Sequence, residues 1–230
     1  MVTKKTLFLF DIDGTLIDAG KAAGAAFEEA FFAVFGIKDS CKGINKSGKT
    51  DLQILDSISQ KLFARAFTLE EISTLNAVYS AKLSNHLQAD PPQVLPGVRN
   101  ILTELRDSTI ALLALQTGNI APAAKAKLSA VGLWSFFRTG GFGDYERSRS
   151  AIVHAAYEKC LSCETSDIIR TCIIGDSPGD ITAAKDNNFM SIAVASGSFG
   201  KEDLALYSPD YVLGSLTDWD QIKHSVLQDG

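Results

Sequence analysis

Three short stretches carry the residues with which this chain could do chemistry: Asp11-Ile12-Asp13-Gly14-Thr15, Gln116-Thr117-Gly118-Asn119 and Gly175-Asp176-Ser177-Pro178-Gly179-Asp180. Each comes directly after an apolar run that reads as a buried strand. Brought together, the carboxylates of Asp11, Asp13, Asp176 and Asp180 would repel one another, and a hard divalent cation relieves that repulsion. An all-oxygen donor set favours Mg²⁺ over zinc, and Mg²⁺ keeps positions open for water and phosphate. The 116–119 turn opens a predicted helix over Asn119–Val131, whose free N–H groups and positive dipole end suit an anion. A cation site beside an anion cradle implies phosphoryl transfer. Asp11 then needs no separate base to act as nucleophile, because an ordinary Asp, with a pKa of about 3.9, is ionised at neutral pH. Asp13 is spaced to protonate the leaving alkoxide and then to deprotonate water. Gly14 permits the tight turn that such a loop demands.

These stretches work together only if the fold gathers them at one edge. Leu7–Phe10, Thr109–Leu115, Thr171–Ile174, Met190–Ala195 and Tyr211–Leu213 read as strands, with a further short one around Phe136–Thr139. Helices are predicted over Val98–Arg106, Ser148–Cys160, Ser177–Asp186 and Leu216–Leu227. The alternation predicts an α/β fold with a mainly parallel sheet covered on both faces, in which ligands bind beyond the carboxyl ends of the strands. Between the first strand and the rest lies an all-helical pattern: Lys21–Phe35, a polar loop over 36–50, then two helical periodicities starting at Leu52 and Leu69. This block reads as an insertion, with Phe27, Phe31, Phe32 and Phe35 as its packing.

The composition is compatible with that reading and narrows it. Of 230 residues, 46% are hydrophobic and 21% charged, which excludes wholesale disorder. A net charge of −5 argues against a broad nucleic-acid-binding face. No apolar run reaches the roughly 18 residues of a membrane span, and the apolar start at Leu7 meets Asp11 before a signal-peptide core is complete. Four cysteines are too sparse for a disulfide scaffold, and Cys172 reads as core. A cytoplasmic protein, monomer or homodimer, with no nucleic-acid or membrane partner is expected.

Asp11-Ile12-Asp13-Gly14-Thr15-Leu16 resembles the first motif of the haloacid dehalogenase-like hydrolases; Thr117 after its apolar strand looks like the second, and Ile173–Asp180 the fourth. The insertion point resembles that of a C1-type cap, and Gly48-Lys49-Thr50-Asp51 is similar to the cap segment of the phosphoglycolate phosphatase and beta-phosphoglucomutase-like branch. The resemblance implies a Rossmann-like three-layer core over 1–17 and 94–230, with a helical cap domain over 18–93. It implies a Mg²⁺-dependent phosphatase that acts on a small phosphorylated metabolite through an aspartyl-phosphate. Asp11 would be the nucleophile, Asp13 the acid/base, and Thr117 the phosphoryl holder. The metal would bind the Asp11 carboxylate, the Asp13 main-chain carbonyl and Asp176, with Asp180 in support. Gly14, Thr15, Gly118, Asn119, Lys49 and Thr50 would contact substrate. The usual lysine of the third motif is missing; Arg147 is expected in its place, with Arg149 as its rival, because an arginine neutralises the same charge.

Other readings compete. A sugar-phosphate mutase of the same superfamily would share this site, and a non-catalytic phosphate- or nucleotide-binding protein would need none of its chemistry. Residues 43–50 match the P-loop pattern G-x-x-x-x-G-K-[ST], which functions only directly after a strand.

Overall fold

The computed structural model of this chain describes residues 3–227. The first apolar run forms β1 (Lys4–Phe10), buried from Thr6 onward. Phe8 and Phe10 enter one packed cluster, Leu7 and Leu9 another, as the two-residue alternation of a strand buried on both faces requires. The chain continues through β2 (Ile17–Asp18), the helices α1 (Ala22–Phe35), α2 (Asp51–Phe63) and α3 (Leu69–Ala89), and β3 (Gln93–Val94). Helices and strands then alternate: α4 (Val98–Asp107), β4 (Ala111–Gln116), α5 (Ala121–Ala130), β5 (Gly140–Gly141), α6 (Arg149–Cys163), β6 (Asp167–Gly175), α7 (Pro178–Asp186), β7 (Met190–Val194), α8 (Lys201–Ala205) and β8 (Tyr211–Leu213).

Among the described residues the main sheet has six strands in the order β5-β4-β1-β6-β7-β8, every pair parallel. The chain winds away from β1 in both directions, so the switch point of this α/β Rossmann-like sheet lies beside β1, between β4 and β6. A ligand crevice forms there, past the carboxyl ends of the strands. No helix among the described residues is long and apolar enough to cross a membrane.

The helices between β2 and β3 build their own apolar cluster. Phe27, Phe31, Leu55, Ile58, Leu75 and Leu83 are buried in it, joined by Ile120 and Ala123 at the start of α5. Phe35 stacks on Phe67 at 5.1 Å, whereas Phe32, expected inside, is half exposed beneath the Lys38 ammonium. Gly36, in the left-handed region at φ 68°, ends α1. Thr50 and Thr68 start α2 and α3 with reciprocal caps to Gln53 and Glu71. Where the block leaves and rejoins the sheet, Ile17 and Asp18 pair antiparallel with Val94 and Gln93.

The structure corrects three expected elements. The short strand is at Gly140–Gly141, after a 3₁₀ turn over Trp134–Phe136, and a Cβ on Gly141 would stand 2.1 Å from the Ile152 carbonyl oxygen. The 119–131 helix begins at Ala121. The closing helix is a 3₁₀ segment over Leu216–Gln221 and then α9 (Lys223–Leu227); its buried residues Leu216, Trp219 and Ile222 recur every three positions, the 3₁₀ period. The P-loop pattern comes after turns that trail α1, with no strand directly before it.

Candidate active site

Strand ends and helix starts meet at a cavity of about 660 Å³. Asp11, Asp13, Gly14, Thr117, Gly118, Asn119, Arg149 and Asp176 line its sheet side, and Lys46, Lys49, Asp51 and Tyr79 line it from the helical block.

Asp11 is the first residue past β1, and its N–H donates to the Ile174 carbonyl at 2.9 Å, which ties it to β6. One carboxylate oxygen from each of Asp11, Asp176 and Asp180 lies within 4.8 Å of the others. Gly14 makes that approach possible: its φ is +81°, and a Cβ there would stand 2.4 Å from Asp176 Oδ2. Asp180 is fixed on both oxygens, accepting at Oδ2 from Ser177 N (3.1 Å) and Oγ (2.6 Å) and at Oδ1 from Gln116 Nε2 (2.8 Å).

Burial pushes the Asp11 and Asp176 carboxyls well above the usual range, and their neighbouring carboxylates push further; Arg149 opposes both shifts. Three clustered carboxylates offer an all-oxygen donor set that fits a hard divalent cation. The Asp13 carboxylate stands outside this group.

Of the two arginines, Arg149 is the one in the site. Its two terminal nitrogens lie 3.2 Å from Asp11 Oδ1 and Oδ2, and its Nε is 3.6 Å from Asp180 Oδ1. Its side chain is 10% exposed, and the surrounding carboxylates hold it charged. Arg147 is turned away and half exposed, pairing with Asp56 of α2 at 2.6 Å. The expectation for Arg147 is therefore corrected. Ser148 caps α6, so Arg149 is the first helical residue and Arg147 precedes the cap.

Thr117 is fully buried, and its Oγ1 accepts from Asn119 N (3.2 Å) and Nδ2 (2.8 Å). Gly118 lets the backbone of Lys49 and Thr50 come close, since a Cβ on it would stand 2.8 Å from Thr50 Cα. Lys49 lines the cavity with its Nζ 3.3 Å from Ser57 Oγ. Thr50 and Thr15 are corrections to the substrate contacts. The Thr50 hydroxyl accepts from Gln53 N at the start of α2, and buried Thr15 reaches Asp176 Oδ1 at 3.5 Å; neither lines the cavity.

The anion cradle expected at the start of α5 is filled by protein carboxylates. Asp51 Oδ2 accepts from Ile120 N at 2.9 Å, and Asp144 Oδ2 from Ala121 N at 2.8 Å. Asp51 also donates its own N–H to the Gly118 carbonyl at 2.8 Å, so the first residue of α2 is docked on this turn. Burial pushes the Asp51 carboxyl up to about 6 despite Lys127 nearby. Lys127 is a cavity-lining residue that the sequence motifs do not reveal. Its Nζ lies 2.7 Å from Asp13 Oδ2 and 2.7 Å from Asn119 Oδ1. A signal exists in the helical periodicity: Ala123, Ala124, Lys127 and Leu128 form one buried stripe of α5, and a lysine on such a stripe needs a partner.

A profile described as haloacid dehalogenase-like hydrolase matches residues 8–194. The chain is 25% identical to a protein named probable phosphatase IndB from Dickeya dadantii, over 97% of this chain and 96% of that one. It is also 25% identical to a phosphoglycolate phosphatase from Vibrio vulnificus, over 91% and 92% of the two chains. A solved hydrolase from Pseudomonas syringae superposes with a TM-score of 0.73 at 22% identity, covering 99% of this chain and all of the other, and so shares the fold.

Proposed function

The chain belongs to the haloacid dehalogenase-like hydrolase family, and from that premise we propose that it is a Mg²⁺-dependent phosphatase that hydrolyses a small phosphorylated metabolite through an aspartyl-phosphate. The observation that carries the reading is the buried Asp11 carboxylate at the end of β1, gripped on both oxygens by Arg149 and facing Asp176 and Asp180. Names borne by the relatives, phosphatase and phosphoglycolate phosphatase, agree with it.

In this reading an Asp11 oxygen attacks phosphorus while the phosphorus–ester bond breaks. The ester oxygen takes the electron pair and the Asp13 proton and leaves as the alcohol. Asp13, now a carboxylate, then takes a proton from the water that attacks the aspartyl-phosphate, and inorganic phosphate departs with Asp11 restored. Thr117 and Arg149 hold the phosphoryl oxygens. Asp11, Asp176 and the main-chain carbonyl of Asp13 would hold Mg²⁺, with Asp180 in support; the ion supplies charge neutralisation at the phosphoryl group. Residues 18–93 act as a cap domain on a core of 1–17 and 94–230, closing over the charged site and excluding water. The setting is cytoplasmic.

The test is phosphate release from an aryl phosphate, with and without Mg²⁺, by the wild type and Asp11→Asn. The amide keeps the shape and loses the nucleophile, so release is expected to fall by at least about 10³-fold with the fold intact. Wild-type turnover in the variant overturns the mechanism. Products from sugar phosphates separate hydrolysis, which frees inorganic phosphate, from mutase action, which returns an isomeric ester.

A further inference from the structure

We propose that Lys127, together with Asn119, is a positioning residue for Asp13: the two donate to Oδ2 and hold the carboxyl group that exchanges the proton with the leaving group. The inference rests on the phosphatase reading above and adds to it a pair of residues behind the acid/base.

Lys127 is 3% exposed on α5. An ammonium buried so deeply is costly unless paired, and here it pairs with Asp13 Oδ2 and Asn119 Oδ1, both at 2.7 Å. An ammonium only donates, so it settles the orientation of Asn119: the amide oxygen faces Lys127 and the amide nitrogen faces the other way. That nitrogen donates to Asp13 Oδ2 at 2.7 Å and to Thr117 Oγ1 at 2.8 Å. Asp13 Oδ2 thus accepts two short hydrogen bonds. Asp13 Oδ1 is buried and has no hydrogen-bond partner among the described residues, while the side chain as a whole is 40% exposed and lines the cavity. In the first step the Asp13 carboxyl O–H bond breaks as the ester oxygen, leaving phosphorus with the electron pair, takes that proton. In the second, water gives a proton back to the Asp13 carboxylate as its oxygen bonds to phosphorus and the bond from phosphorus to Asp11 breaks.

A purely structural lysine would slow all substrates alike when lost. A lysine that positions the acid matters in proportion to the leaving group's need for a proton. The experiment compares kcat/KM of wild type, Lys127→Met and Asn119→Ala on 4-nitrophenyl phosphate, whose leaving group departs unprotonated, and on the alkyl phosphate that the wild type turns over fastest. For Lys127→Met the alkyl ester is expected to lose on the order of 10²-fold and the nitrophenyl ester less than about 10-fold. Asn119→Ala, which removes the second donor to Asp13 Oδ2 and leaves the Lys127–Asp13 ion pair, is expected to shift the ratio the same way and carries the test if Lys127→Met does not fold. On the nitrophenyl ester, Asp13→Asn combined with Lys127→Met is expected to match Asp13→Asn alone. Equal losses on both esters, or a further full loss in the Asp13→Asn background, overturn the inference. A wild type without Asp11-dependent turnover overturns the phosphatase reading itself.

Discussion

The floor of the cavity and the helices above it are held by different forces. On the floor, charges are buried and bind one another: Arg149 spans Asp11 and Asp180, and Asp180 is bound on both oxygens by Ser177 and Gln116. The helical block is held internally by aromatic and aliphatic packing, Phe31 and Phe35 against Phe67 among it. Among its polar contacts with the sheet side are Asp51 on the turn at Gly118 and Ile120, and Asp56 with half-exposed Arg147. Buried, mutually satisfied charges fix a geometry, because removing one partner strands the other. An exposed pair such as Asp56–Arg147 is weak and easily remade, in keeping with the closing cap proposed above.

The sharpest way to break this contrast is Arg149→Ala. It removes the two donors at Asp11 and leaves that carboxylate in a cluster of like charges. Loss of one preorganised donor to a developing charge typically costs about 10²–10³-fold in kcat, and this arginine supplies two contacts, so turnover is expected to fall by at least about 10³-fold. Arg149→Lys keeps the charge but not the fork and is expected to recover only part of the rate. Steady-state kinetics with thermal unfolding as a control measures both. Wild-type kcat in Arg149→Ala would show that the floor does not depend on its buried cation.

Much of the floor is legible in the chain because its residues stand immediately after apolar strands, and β1, β4 and β6 are readable from their runs alone. The choice between Arg147 and Arg149 is not. It turns on where α6 begins: Arg149 is the first helical residue after the Ser148 cap, whereas Arg147, two residues earlier, lies outside the helix. Lys127 is masked by Lys125, its neighbour two positions back; the side chains at 125 and 127 leave the helix in very different directions. Gly140–Gly141 carries no side-chain alternation from which a strand could be read. The role of Asp51 depends on α2 meeting α5, a contact between segments some 70 residues apart in the chain that no local pattern encodes.

Asp51 also provides a smaller and quantitative test. Its carboxyl is raised from 3.8 to about 6, so the folded chain binds a proton that the unfolded chain releases in between. The stability this site contributes is fully present below about pH 4, declines as the pH rises through 6, and is gone above it. Asp51→Asn keeps an oxygen for the Ile120 N–H without the charge. The variant is expected to match the wild type near the acid end of the window and to be more stable at neutral pH. The full shift corresponds to about 3 kcal/mol, and a gain of about 1 kcal/mol is expected, since the side chain also lines the cavity where water screens it. Urea unfolding of both proteins across the window measures the difference. A variant less stable than wild type at neutral pH would mean that the ionised carboxylate holds the start of α5 more strongly than burial opposes it.

The smallest effect belongs to Arg147. Its pair with Asp56 is short at 2.6 Å, yet the side chains are 54% and 39% exposed, and pairs of this kind contribute about 0.2–1 kcal/mol. If the contact only helps the cover to sit down, Arg147→Ala is expected to raise KM by no more than about 5-fold and to leave kcat within about 2-fold, the size of an exposed ion pair. Salt screens exposed charges, so the difference from wild type is expected to shrink as ionic strength rises. Asp56→Ala is expected to show the same change, and the double variant no more than either single one, because both remove the same interaction. A kcat loss in Arg147→Ala comparable to that of Arg149→Ala would erase the distinction between floor and cover, since it would require a half-exposed arginine bound to the cover to act on the reacting phosphoryl group.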